Sequence, residues 1–152
     1  MEKLKLNLGT GTVIIEMLSE VAPRHTARIA ELVRSGFYNG LPFHRVIDGF
    51  MAQTGCPRGD GTGGSGVKIP AEFSSVTFAR GTVGMARTSD KNSADSQFFI
   101  CFADCPFLDG NYTVWGRVIS GMENVDKITR GDEWLNGHVD NPDIIISAEM
   151  ID

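Results

Sequence analysis

Leu4, Leu6 and Leu8 alternate with polar residues, and that period of two predicts a strand with one buried face. Gly9-Thr10-Gly11 interrupts the alternation. Thr12–Met17 then resumes as a β-branched run, so the chain opens with a predicted hairpin. Pro23 suits a first helical turn. From His25 to Phe37 the apolar spacing becomes helical, with Ile29, Leu32, Val33 and Phe37 on one side and Gly36 or Asn39-Gly40 as the stop. Short predicted strands follow at Phe43–Ile47, Met51–Thr54, Val83–Ala86, Gln97–Phe102 and Tyr112–Val118. Gly121–Ile128 predicts a second, short helix that turns Met122, Val125 and Ile128 to the core. Asp143–Met150 is a closing strand. This order of elements predicts one mainly β domain over residues 1–152, an antiparallel barrel or sandwich with helical caps. No internal repeat or linker interrupts it.

Composition narrows the function classes. At 152 residues, with 41% hydrophobic and 22% charged positions, the chain is long enough to bury a core. Its net charge of −5 argues against a nucleic-acid partner, which needs a basic face. No apolar run approaches the ~20 residues that span a bilayer, so no membrane partner is expected. Met1–Leu8 alternates and shows no apolar signal core, which leads to the expectation of a cytoplasmic protein. Cys56, Cys101 and Cys105 read as reduced thiols. His25, His44 and His138 lack ligand spacing, so no metal site is expected.

The candidate chemistry is concentrated in Phe43–Gly55. Arg45 and Gln53 stand there among aromatic and aliphatic residues. An arginine is a poor general base and no nucleophile, so this segment reads as a site that hydrogen-bonds and orients. Within the predicted strand Gln97–Phe102, Gln97, Phe99 and Cys101 share one face, while Phe98, Ile100 and Phe102 share the other, which is the expected core side. The run Gly59–Gly66 contains overlapping G-x-G-x-x-G matches, but Pro70 follows closely and no strand-to-helix unit surrounds it. It reads as a loop that admits close backbone approach. A Cys56–His44 nucleophile pair is set aside because alternation turns His44 away from Arg45, toward a different layer.

Four separated motifs, in order, make the chain resemble the cyclophilins, the peptidyl-prolyl cis/trans isomerases. They are Phe43–Gly55, Gly81–Ala86, Ser96–Cys101, and Leu108-Asp109-Gly110 followed by Val114–Val118, so the resemblance covers nearly the whole chain. It implies a closed eight-stranded antiparallel β-barrel with a helix at each end. It implies a non-covalent, cofactor-free isomerase acting on proline-containing peptides and on unfolded or folding proteins. Arg45 is then the principal catalytic residue, grouped with Gln53 and Phe50. Phe50, Met51, Phe99, Leu108 and Tyr112 form the proline pocket, with Phe107 on its rim. Gln97 and the backbone of Ala86, Arg87 and Thr88 hold the substrate chain, and Gly61 lies near a second pocket. Phe107 stands where many eukaryotic members have tryptophan, and Tyr112 where many have histidine. Without the indole N–H, cyclosporin is expected to bind weakly. A monomer is the default expectation.

Two other classes compete with this one. A proline-peptide scaffold or chaperone with little turnover would bind without isomerising, and turnover on a simple X–Pro peptide discriminates it. A nucleic-acid-binding β-barrel would show salt-dependent affinity.

Overall fold

Strand β1 (Lys3–Leu8) buries Leu4, Leu6 and Leu8 and leaves the residues between them half-buried, as its alternation predicts. A computed structural model describes residues 2–152. The remaining elements are β2 (Gly11–Met17), α1 (Pro23–Arg34), β3 (Arg45–Ile47), β4 (Met51–Thr54), β5 (Thr82–Met85), β6 (Phe98–Cys101), β7 (Val114–Ser120), α2 (Met122–Asp126) and β8 (Ile145–Ile151). Single 3-10 turns cover Pro106–Leu108 and Glu133–Leu135.

Helix α1 starts at Pro23 and ends at the Gly36 stop that the sequence offers, whereas α2 is shorter than predicted. Helix α1 stops at Arg34 because Gly36 takes a φ of 80°, which turns the chain before Phe37. Phe37 still packs against the core from outside the helix. No side chain of its own caps α1 at the N-terminus. The Glu72 carboxylate does so from a distant loop, accepting the N–H groups of Arg24 and His25 at 3.2 and 2.9 Å. Helix α2 is a turn and a half, yet Val125 and Ile128 are both buried, as their spacing predicts. Predicted strands also shrink or shift: Phe43 and His44 lie outside β3, Gln97 and Phe102 lie outside β6, and β7 starts at Val114 instead of Tyr112 and runs on to Ser120.

The eight strands form one antiparallel sheet in the order β3-β4-β6-β5-β7-β2-β1-β8. The sheet curls, but the expected closed ring is not formed: β3 and β8 end the order and share no strand ladder. The segment before β3 spans that gap. Gly40 and Leu41 bond to Ile145, Phe43 bonds to Asp143, and Pro42 makes one isolated bridge to Ile144. Pro42 takes the non-hydrogen-bonded position of that bridge, where its missing N–H costs no ladder bond.

Strands β4 and β6 separate two apolar clusters. Val46, Ala52, Phe98, Ile100 and Phe102 join the main core with Leu4, Ile15, Trp115 and Ile29 of α1. Met51, Phe99 and Cys101 fall into a second cluster with Phe78, Cys105, Leu108 and Val114. That division follows the period-two reading of Gln97–Phe102, and it lets a site sit on the sheet face opposite the core.

Candidate active site

The register of four strands assembles the site. Arg45 on β3 lies opposite Gln53 on β4, Gln53 lies opposite Phe99 on β6, and Phe99 lies opposite Gly84 on β5. One row across the sheet therefore carries a cation, an amide, an aromatic ring and a position with no side chain. The missing side chain is required: a methyl on Gly84 would fall 2.5 Å from Phe78 Cε1 and 2.9 Å from Phe99 Cζ. Phe78 stacks on Phe99 at 5.7 Å, and Tyr112 meets Phe99 edge-on at 6.0 Å. The Phe99 ring is thus held on two sides.

A cavity of about 510 Å³ opens over this row. Phe50, Met51, Phe99, Leu108 and Tyr112 form its apolar wall, and Arg45 and Gln53 its polar one. Gly61, Ala86 and Arg87 border it on the side of an adjoining cavity of about 290 Å³. Thr88 and Gln97 line only that second cavity. Phe107 lines neither: it is 66% exposed, with its ring 5.4 Å from Phe50. Its placement between Pro106 and Leu108 on a 3-10 turn sends the two neighbouring residues in different directions, Leu108 inward and Phe107 outward.

The polar wall is one chain of hydrogen bonds. Arg45 Nη1 donates to Gln53 Oε1 at 3.0 Å, and Gln53 Nε2 donates to Gln97 Oε1 at 2.9 Å. Gln97 Nε2 then donates to the carbonyls of Gly61 and Gly63, both at 2.9 Å. On the other side of the guanidinium, Nε donates to the Asn136 carbonyl and Nη2 to Asn136 Oδ1, each at 3.1 Å. Three of five N–H groups are spent on neutral acceptors, which leaves one on each terminal nitrogen. No carboxylate pairs with Arg45 among the described residues. Burial lowers its pKa from an ordinary value so high that the group remains cationic.

Part of the Ala86–Thr88 backbone is already bonded within the protein. The Ala86 N–H donates to Gln97 O at 2.9 Å and the Thr88 N–H to Ser93 Oγ at 2.9 Å. The Ala86 carbonyl and the N–H and carbonyl of Arg87 are left unengaged by the described residues. The Arg87 side chain has a task of its own: it lies 4.4 Å over the Tyr112 ring and donates twice to Asn111 O and once to Thr88 O.

Sequence reasoning missed five residues that line the main cavity: His44, Asp60, Leu135, Asn136 and His138. His44 was expected to face another layer. It precedes the regular part of β3, so alternation does not govern it, and its ring packs under Gly61. Burial first, and then the neighbouring Arg45 charge, lower its pKa below the ordinary 6.5. The Asn136-Gly137 pair was a visible turn signal, but nothing in the local pattern joins it to Arg45, 91 positions away.

A family model described as cyclophilin type peptidyl-prolyl cis-trans isomerase/CLD matches residues 3–150. A probable peptidyl-prolyl cis-trans isomerase of Brucella suis is 56% identical over 157 residues, covering 95% of this chain and 80% of the relative. A peptidyl-prolyl cis-trans isomerase of Helicobacter pylori is 44% identical over 131 residues, covering 84% of this chain and 80% of the relative. Among solved structures, a Cryptosporidium parvum cyclophilin type peptidyl-prolyl cis-trans isomerase, crystallised in the presence of the dipeptide Ala-Pro, superimposes with a TM-score of 0.89. It is 28% identical, over 99% of both chains. A cyclophilin from Hirschia baltica superimposes with a TM-score of 0.86 at 28% identity, over 96% of this chain and 72% of that one.

Proposed function

This chain belongs to the cyclophilin-type peptidyl-prolyl cis-trans isomerase family and is a peptidyl-prolyl cis-trans isomerase; we propose that it turns X–Pro bonds with Arg45 as the catalytic donor and without a covalent step. The observation that carries this reading is the guanidinium itself, held by neutral acceptors with one free N–H on each terminal nitrogen beside an apolar cavity.

The barrier to X–Pro rotation is about 18–20 kcal/mol and comes from amide resonance. As the bond twists, the prolyl nitrogen loses conjugation and its lone pair becomes an acceptor. A fixed N–H donor beside that nitrogen gains most in the twisted state. The gain stabilises the transition state over the ground state, which is the condition for catalysis. A carboxylate partner would quench the cation, and Arg45 has neutral partners instead.

Rotation also needs one end of the bond held still. The apolar wall of Phe50, Met51, Phe99, Leu108 and Tyr112 suits a pyrrolidine ring. Gln53 orients Arg45, and Gln97 and the free backbone groups of Arg87 hold the flanking chain as an added strand. Backbone pairing reads any sequence, so the substrates are proline-containing peptides and folding chains of many kinds. The relative crystallised in the presence of Ala-Pro supports this substrate class. The family match over residues 3–150 supports one domain spanning the chain.

Exchange spectroscopy on an Ala–Pro peptide tests the reading. The parent is expected to accelerate exchange, and Arg45→Ala to lose about a hundredfold in rate while still binding the peptide. Equal rates in both proteins would remove Arg45 from the mechanism. Binding without exchange in the parent would identify a scaffold.

A further inference from the structure

Asn136 is the one non-glycine residue with a left-handed backbone among the described residues, at φ 55° and ψ 36°. It ends the 3-10 turn Glu133–Leu135. That turn is closed on itself: Asp132 Oδ1 accepts the Trp134 N–H at 2.9 Å, Asp132 O accepts the Gly137 N–H at 2.8 Å, and Asp132 N–H donates to His138 O at 3.0 Å. It is also fastened to β3. Val46 N–H donates to Gly137 O at 2.9 Å, and Gly131 N–H donates to Val46 O at 2.8 Å.

These bonds bring the turn's backbone directly against the stem of Arg45. A methyl on Gly137 would fall 2.7 Å from Ile47 Cγ1 and 3.3 Å from Arg45 Cγ. From that position the left-handed Asn136 presents two oxygens of one residue to one edge of the guanidinium, its carbonyl to Nε and its Oδ1 to Nη2. Gln53 takes Nη1 from the opposite side. Three contacts around a planar group block its rotation about the Cδ–Nε bond.

We propose that Asn136 is a positioning residue for Arg45: its side-chain amide oxygen fixes the guanidinium plane and so aims the two free N–H groups at the prolyl nitrogen. The proposal rests on the reading of Arg45 as the donor. Hydrogen-bond strength falls steeply away from linearity, so a guanidinium free to rock loses part of its advantage in the twisted state. Gln53 alone would hold one terminal nitrogen and leave the other edge free to swing.

Asn136→Gly is the discriminating variant, because glycine keeps the left-handed backbone and the carbonyl and removes only Oδ1. Ala–Pro exchange at low peptide concentration is expected to slow about tenfold, with peptide affinity and thermal midpoint unchanged. Asn136→Asp, which keeps an oxygen and the same backbone but sets a carboxylate against the cation, is expected to slow exchange as well. In an Arg45→Ala background, Asn136→Gly is expected to have no further effect, since the group it positions is gone. A parent-like rate in Asn136→Gly would overturn the proposal. So would a tenfold loss that persists without Arg45, or a loss that tracks peptide affinity or thermal midpoint. If Arg45→Ala alone keeps the parent rate, the donor reading fails and this proposal falls with it. If Arg45→Ala is inactive and Asn136→Gly is not, only the role of Asn136 is lost.

Discussion

Gln53 Nε2 donates to Gln97 Oε1 at 2.9 Å, and this bond sets the direction of every amide in the polar wall. Gln97 Nε2 faces two carbonyls, those of Gly61 and Gly63, so its oxygen must face Gln53. Gln53 then turns its nitrogen toward Gln97 and its own oxygen toward Arg45. The glycine-rich loop thereby dictates which end of Gln53 meets the guanidinium.

Gln97→Glu tests that order. The substitution keeps the shape but places a carboxylate against two carbonyl oxygens and removes both donors. We expect the loop around Gly61 and Gly63 to loosen and X–Pro exchange to slow about tenfold. Amide hydrogen exchange of residues 59–66 and peptide exchange spectroscopy check the two halves. Parent-like protection in the loop together with a parent-like rate would show that the order of amides has no such role.

Gly84→Ala probes the apolar wall from behind. The added methyl would overlap Phe78 and Phe99, and Phe78 is fully buried, so Phe99 must yield toward the cavity. Overpacking of this kind costs about 2 kcal/mol. We expect that loss in a denaturant melt and a weaker Ala–Pro affinity in a titration. Destabilisation with unchanged affinity would mean that the strain is relieved away from the pocket.

The pair His25–Glu72 makes stability depend on pH. Burial lowers the His25 pKa below the ordinary 6.5, and the Glu72 contact at 2.6 Å offsets only part of that. A base harder to protonate in the folded state destabilises the fold as pH drops below about 6.5. Burial opposes ionisation of Glu72, yet the His25 ring and the N–H groups at the start of α1 hold its pKa below the ordinary 4.5. Its contribution is present above pH 4.5 and is lost as pH falls through the lowered value. The thermal midpoint is therefore expected to fall in two stages from pH 7 toward pH 3. Glu72→Gln is expected to cost about 2 kcal/mol at pH 7 and to remove the lower stage. A parent midpoint that stays flat from pH 7 to pH 4 would contradict the assignment of His25.

Phe107 faces solvent beside Phe50, at the outer margin of the apolar wall. Phe107→Trp adds an indole N–H there and widens the apolar rim without altering the row of Arg45, Gln53 and Phe99. We expect tighter cyclosporin binding, by about tenfold, with Ala–Pro exchange near the parent rate. Calorimetric titration of both proteins decides this, and equal affinities would refute it.

Much of this molecule was legible along the chain because the relevant physics is local. Alternation alone assigned Phe98, Ile100 and Phe102 to the core and Phe99 to the opposite face, since neighbouring strand side chains point apart. The turn between β3 and β4 is short, so the pairing of Arg45 with Gln53 was close at hand, and the residue types named the chemistry of orientation rather than proton transfer. What lies between distant segments was not legible. The sheet curls without a complete ladder between β3 and β8, and one isolated bridge, Pro42 to Ile144, spans the gap. The two oxygens of Asn136 reach Arg45 from 91 positions away, and Phe107 turns outward on a 3-10 turn while Leu108 turns in. Periodicity tells which face a side chain takes. Which other segment that face meets depends on how the whole sheet bends, and only the tertiary structure decides it.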